Sequence, residues 1–268
     1  MKRILITGHK GYIGQHLCKV LKGKYKITGV DLKDNRQNIF DLKFPGEEEY
    51  DTVIHLAAFV NVGESVNWPY TYYHNNIEGT QHVLSNLRYK NFIFASTGAA
   101  EDPVSPYGIS KRAAEDVVAN HCKRFVKDYT IFRFYNVVGS DGFPPTNMDG
   151  LMHNLIKSKT SGSFNLYGHD YDTPDGTALR DYVHVNEICT AIHKAISKPA
   201  NGLENLGHGE GTSVLEMVET FKLVNNCDFK INLCDRRPGD LPVSVLKNIS
   251  PYMEKQYTIE ELLDVNDE

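Results

Sequence analysis

Cysteine is scarce in this chain: five among 268 residues, at positions 18, 122, 189, 227 and 234, with no Cys-x-x-Cys. An odd, scattered set of that kind builds neither a disulfide framework nor a zinc ribbon, so reduced thiols and no metal site are expected. Long apolar runs are missing too. Stretches such as Val53 to Ala58 and Phe92 to Ala95 are strand-length, far short of the roughly 20 residues that span a bilayer. Positive charge is not in excess, since 29 Lys and Arg face 34 Asp and Glu for a net charge of -5. A nucleic-acid partner is therefore not expected, because such surfaces neutralise phosphates with clustered Lys and Arg. Met1-Lys2-Arg3 runs into strand-like residues without the apolar region of a signal peptide, and a cytoplasmic location is the expectation. Internal repeats and low-complexity tracts are absent as well.

What is present is glycine at set places. Arg3-Ile4-Leu5-Ile6-Thr7 reads as a short strand, then come Gly8, Gly11 and Gly14 at Gly-x-x-Gly-x-x-Gly spacing, then a helical pattern through Leu17, Val20 and Leu21. In a strand-turn-helix of this type Gly8 permits the tight exit, Gly11 lets backbone amides approach a pyrophosphate, and Gly14 lets helix and strand pack closely. The helix start, with Tyr12 and Ile13, then faces the anion. Lys26 to Val30 reads as the next strand and ends on Asp31, a carboxylate suited to the ribose hydroxyls of NAD and repelled by the 2'-phosphate of NADP. Further alternation follows: strands at Val53 to Ala58, Asn91 to Thr97 and Tyr129 to Phe134, and helices reaching Leu87 and running from Pro106 to about Phe125. That alternation specifies an α/β fold, a Rossmann-type doubly wound parallel sheet. From Ser140 onward glycine, proline and asparagine become denser, which points to a smaller, mixed α/β C-terminal domain.

Tyr107 and Lys111 stand four residues apart near a helix start, so both project from one face. A cation beside a phenol, joined by the charge of an oxidised nicotinamide, is expected to draw the tyrosine pKa from about 10 toward the working pH. That is what a general base for an alcohol requires.

The longest polar passage, Asp170-Tyr-Asp-Thr-Pro-Asp-Gly-Thr-Ala-Leu-Arg180-Asp-Tyr-Val-His184-Val185, resembles the DYxTxDGTxxRDYxHV segment of UDP-galactose (UDP-glucose) 4-epimerases. An Asx-turn loop around Gly176 is the plainer account of it. The glycine spacing resembles the extended short-chain dehydrogenase/reductase superfamily, to which those epimerases belong. Val53 to Ala58, Val62 to Val66, Tyr72 to Thr80, Phe94 to Thr97 and Arg236 to Asp240 match its VIHxAA, VGESV, YYxNNVxGT, FxSS(S/T) and RRPGD segments. The resemblance implies an NAD-dependent epimerase that inverts carbon 4 of a UDP-hexose through a 4-keto sugar.

It also implies residue roles. Thr97 shares the substrate proton with Tyr107, and Lys111 binds the nicotinamide ribose. Asp41 and Leu42 receive the adenine, Leu56, Ala57 and Ala58 pass beneath the phosphates, and Asn75 and Phe134 line the cofactor. His55 is expected to be structural. Arg180 and Arg237 grip the diphosphate with forked guanidinium groups, Asp240 takes the uridine ribose, Asn136 lies on the phosphate side, and uracil packs on Tyr167. Small Ser244 stands at the hexose gate, which leaves room for the N-acetylhexosamine pair. The implied domains are 1–139 with 181–199 returning to it for NAD, and 140–180 with 200–268 for the UDP-sugar. A homodimer through the helices containing Asn76 and Lys111 is implied too.

There are departures from the pattern. Val60 stands where many relatives carry a lysine near the cofactor, Val137 follows Asn136 in place of proline, and Asp149-Gly150 replaces Asn-Asn. The stretches from Asp31 to Val53 and from Thr97 to Tyr107 are short. Two alternatives remain open. One is another nucleotide-sugar enzyme of this fold: a dehydratase, which places Asp-Glu where this chain has Gly98-Ala99, or a decarboxylase or reductase. The other is a non-catalytic NAD-binding sensor, since fold alone proves no activity.

Overall fold

A computed structural model describes residues 1–34, 37–43, 49–140, 142–145, 147, 150–237 and 239–265. Asp149 and the acidic end at 266–268 lie outside the described residues, so the Asp149-Gly150 departure is described at Gly150 alone. The chain forms two compact units, residues 1–134 with 189–204, and residues 135–188 with 205–268.

The first unit is built on β1 (Arg3–Thr7), β2 (Lys26–Val30), β3 (Tyr50–His55), β4 (Tyr89–Thr97) and β5 (Asp128–Phe134). These alternate with α1 (Tyr12–Leu21), α2 (Val62–Asn67), α3 (Pro69–Tyr73), α4 (Gly79–Asn86) and α5 (Pro106–Arg124). A π-helical turn, His74–Glu78, joins α3 to α4. The pairs β1 with β2, β1 with β3, β3 with β4 and β4 with β5 are all parallel. Continuous apolar runs such as Ile4-Leu5-Ile6 are what a parallel strand covered on both faces requires, and all three side chains are buried.

The sheet has six strands in the order Gly202–Leu206, β5, β4, β3, β1, β2. Val53 to His55 lie in the third strand among the described residues, and between Asp31 and β3 the described residues include a 3-10 turn, Ile39–Asp41. Chain order reverses between β1 and β3, which is where ligands bind in open parallel sheets, at the carboxyl ends of the strands.

The second unit holds a parallel pair, Ser163–Tyr167 with Lys230–Cys234, and a three-stranded sheet in which Leu179–Arg180 lies between Thr212–Ser213 and Val243–Ser244. Helices Leu151–Ser161 and Val214–Val224 contribute to an apolar core with Met152, Leu155, Phe164, Leu166 and Phe221. The expected boundaries shift. The first unit ends at Phe134 rather than 139, because Asn136 donates to the Asp181 carbonyl and Asn136–Val138 pair with Tyr182–His184. The return covers 189–204 rather than 181–199, because strand Tyr182–His184 pairs with Asn136–Val138 inside the second unit.

Candidate active site

The glycine turn is shaped by contact. Gly8 has φ +74°, and a Cβ there would stand 2.8 Å from the amide nitrogen of Ala57 just past β3. At Gly14 a Cβ would fall 2.2 Å from the Gly8 carbonyl oxygen, so α1 rides directly on the turn. Gly11 is the N-cap of α1 and gives it no side-chain cap; helix starts of this kind offer backbone amides to an anion. Leu56 donates its N–H to the Thr7 carbonyl and Ala57 to the Thr7 hydroxyl, which draws residues 56–58 alongside the turn. At the end of β2 the Asp31 carboxylate accepts the amides of Lys10 and Lys33, each at 2.9 Å. This tethers the glycine turn to the end of β2. The cradle fits a dinucleotide.

Asp41 and Leu42 follow the 3-10 turn. Asp41 closes a capping box with Asn38, and the Leu42 carbonyl accepts from His82. Asn75 sits within the π-helical turn, its amide donating to Asn76, so it caps no helix. His55 is buried between two hydroxyls, Thr7 at 2.6 Å and Thr80 at 3.1 Å. Burial, reinforced by the Lys111 charge, holds its pKa at about 3, which fits a structural, neutral imidazole. Val60 is exposed.

At the carboxyl end of β4, Thr97 accepts the Ala99 amide and so starts the turn leading to α5. Ser105 caps α5 by accepting from Gly108, with Pro106 at its first position. A Cβ on Gly108 would lie 2.5 Å from the Ala99 carbonyl oxygen, so the shortened loop presses α5 against the end of β4. Tyr107 and Lys111 are both buried on that helix. In the protein alone burial pushes the Tyr107 phenol up to about 12, and the group that opposes it is the Thr97 hydroxyl; the expected descent is tied to the charge of an oxidised nicotinamide. Lys111 places its ammonium 4.1 Å from the centre of the Phe94 ring, and burial brings it down to about 7 against the pull of Glu115. Phe134 closes β5 directly opposite Thr97.

In the second unit Arg180 and Ser244 are paired residues of adjacent strands. The Arg180 guanidinium donates to the Leu179 carbonyl and lies 4.0 Å from the Asp240 carboxylate. Arg237 stacks 4.0 Å over the Tyr167 ring, so these two expected substrate residues meet each other. Asn136 donates to the Asp181 carbonyl. Much of the polar passage before Arg180 holds its own loop: Asp175 accepts the amide and hydroxyl of Thr177 and the Ser213 hydroxyl. An Asx turn thus holds Asp175 to Thr177, and Arg180 follows on the strand Leu179–Arg180.

Residues 4–207 match the NAD dependent epimerase/dehydratase family. The chain belongs to that family. It is 33% identical to a UDP-glucose 4-epimerase of Haemophilus influenzae over 294 residues, covering 89% of this chain and 87% of the relative. A probable UDP-arabinose 4-epimerase of Arabidopsis thaliana is 31% identical, over 98% of this chain and 79% of its own. The crystal structure of the Brucella ovis UDP-glucose 4-epimerase in complex with NAD superposes with a TM-score of 0.88 at 28% identity, covering 98% of this chain and 96% of that one.

For this epimerase/dehydratase chain, two buried constellations escaped sequence reasoning. Glu115 accepts two bonds from Arg133 and one from Ser96, and Asp181 accepts the amides of His208, Gly209 and Leu246. A signal for the first existed: an arginine inside the apolar run of β5 and a glutamate four residues beyond Lys111. Among the described residues no cluster of His, Cys, Asp and Glu could hold a metal ion, and no helix is long and apolar enough to cross a membrane.

Proposed function

We propose that this chain is an NAD-dependent enzyme that inverts carbon 4 of a UDP-sugar. The observation that carries the reading is the set Thr97, Tyr107 and Lys111, assembled at the carboxyl end of β4 in the same unit as a glycine turn fitted to a dinucleotide. NAD, held at the glycine turn, would supply the hydride chemistry: its oxidised form an acceptor for the hydrogen of carbon 4, and its reduced form the donor to the opposite face. Tyr107 takes the proton of the 4-hydroxyl and gives it back, and the Thr97 hydroxyl shares that proton. A buried phenol ionises only when positive charge gathers beside it; an oxidised nicotinamide would add that charge, and Lys111 would hold its ribose. Asp31 takes the adenosine ribose, Asp41 and Leu42 the adenine, and Asn75 and Phe134 the nicotinamide side. Residues 1–134 with 189–204 thus serve as the NAD unit, and the other unit as the UDP-sugar unit.

Arg180 and Arg237 anchor the diphosphate, Asp240 the uridine ribose, Tyr167 the uracil and Asn136 the phosphate side. Remote binding of this kind keeps the ketone in place while it turns over. A homodimer in the cytoplasm belongs to the same reading.

Replacing Tyr107→Phe removes the proton acceptor and little else. UDP-galactose turnover should fall to near zero while NAD still binds, and near-normal turnover would refute the mechanism.

The substrate range extends, on this reading, to the N-acetylhexosamine pair. Ser244 is small, half-buried and paired with Arg180, so the sugar next to the diphosphate anchor meets little bulk there. Ser244→Tyr should suppress turnover of UDP-N-acetylglucosamine and spare UDP-glucose by steric exclusion. The ratio of the two kcat/KM values decides it; an unaltered ratio means that Ser244 is no gate.

A further inference from the structure

The strand ends that carry Thr97 and Phe134 are tied to α5 by a buried ionic cluster. Ser96 and Arg133 are partners across β4 and β5, as are Thr97 and Phe134 one step further along. Both Ser96 and Arg133 reach the same carboxylate. The Ser96 hydroxyl donates to Glu115 Oε1 at 2.5 Å, and Arg133 closes a bidentate fork on Glu115 with Nε at 2.8 Å and Nη2 at 2.7 Å. All three residues are at most 6% exposed.

Glu115 also belongs to the face of α5 that carries the chemistry. Tyr107, Lys111 and Glu115 follow one another at four-residue spacing, which stacks them on one side of a helix. The lowest of the three is locked into the strand pair one residue before the strand ends. Above it on the same face, the Lys111 ammonium lies over the Phe94 ring of β4 and the Tyr107 phenol shares a hydrogen bond with Thr97. We propose that Glu115, clamped by Arg133 and Ser96, is a positioning residue that sets the height of α5 against β4 and with it the placement of Tyr107 and Lys111.

A clamp for stability alone is the competing account. Buried ion pairs are weak evidence for stability, and apolar replacements of similar volume are often neutral or stabilising. Two charged residues and a serine hydroxyl joined at one point do, however, specify a single register between helix and sheet, which an apolar contact leaves free to slide. The charges around Lys111 point the same way. On its own helix lie the Tyr107 phenol and the Glu115 carboxylate, β3 presents His55, held neutral at about 3, and β5 presents Arg133, already forked on Glu115. Glu115 is the group that raises the lysine against its burial.

The inference rests on the reading of Tyr107 and Lys111 as the catalytic pair, and the experiment separates the two. The wild type, Tyr107→Phe, the double variant Glu115→Leu/Arg133→Leu and the single variant Arg133→Lys are compared by melting temperature, NAD affinity, and kcat and KM for UDP-galactose at saturating NAD. Arg133→Lys keeps the buried charge but loses the fork, so it decides the matter should the double variant not fold.

Expected are a folded clamp variant whose kcat falls at least 10-fold with KM within 3-fold of wild type, and weaker NAD binding through the displaced Lys111. A folded clamp variant with kcat within 3-fold of wild type overturns the proposal, whatever its melting temperature. If the wild type itself does not turn over UDP-galactose, the functional reading fails. The clamp is then judged on NAD affinity alone: a loss of at least 5-fold in a folded variant supports it, and an unchanged affinity overturns it.

Discussion

At the scale of single residues, burial decides what each charged group can do. Tyr107 and Lys111 share a helix face, which the four-residue spacing made legible, but their pKa values follow from desolvation, which no spacing encodes. Both are pushed toward the neutral form, the phenol up to about 12 and the ammonium down to about 7. The pair therefore depends on what is brought against it, as a base needs that works only with its ligands in place. The arginines of the second unit differ in kind. Arg180 donates to a backbone carbonyl and stands 4.0 Å from Asp240, and Arg237 lies over Tyr167. Arg180→Ala or Arg237→Ala should weaken UDP binding by roughly 1.5 to 3 kcal/mol, the range for hydrogen bonds to charged groups. Calorimetry with UDP reads this directly, and unchanged affinity in both variants would move the substrate site elsewhere.

At the scale of elements, the glycine turn and α1 form a unit with no spare volume. The triplet was readable because each glycine answers a distinct steric need, and the structure gives the distances. A methyl at position 14 would penetrate the Gly8 carbonyl oxygen, at 2.2 Å, and the backbone of His9 at 2.7 Å. Backbone cannot step aside as a flexible side chain does, so Gly14→Ala must lift α1 off the turn. We expect a loss of about 1 to 3 kcal/mol, as for overpacked cores, together with NAD binding weakened far more than UDP binding. Thermal melting with and without each ligand tests it; a variant that melts like the wild type and binds NAD normally would mean that the turn adjusts. The connection from Thr97 to α5 shows the same economy. Its shortness was evident in the sequence, whereas the pressing of Gly108 against Ala99 was not, because that contact depends on where the helix lands.

At the scale of the whole molecule, the chain leaves the first unit after Phe134, returns at Cys189 and leaves again after Glu204. Within the second unit Asp181 is wholly buried and accepts backbone amides from His208 and Gly209, each at 2.8 Å, and from Leu246 at 3.2 Å. Two segments distant in sequence from Asp181 hang on its carboxylate. Asp181→Ala leaves those amides without their acceptor at about 1 to 3 kcal/mol for each buried unsatisfied group. Differential scanning calorimetry should therefore show a transition at clearly lower temperature, and an unshifted profile would mean that water or a rearranged loop replaces the carboxylate. By itself the sequence determined the alternation of strands and helices, the glycine turn, the Tyr107–Lys111 face and the class of chemistry, because these rest on short-range periodicity and on residues that few other structures require. Only the tertiary structure decided the reversal of strand order between β1 and β3, the unit boundaries at Phe134 and Cys189, the Glu115 clamp and the direction of the buried pKa values. Those depend on which distant segments meet and on how much water they exclude, and neither quantity is written in local sequence.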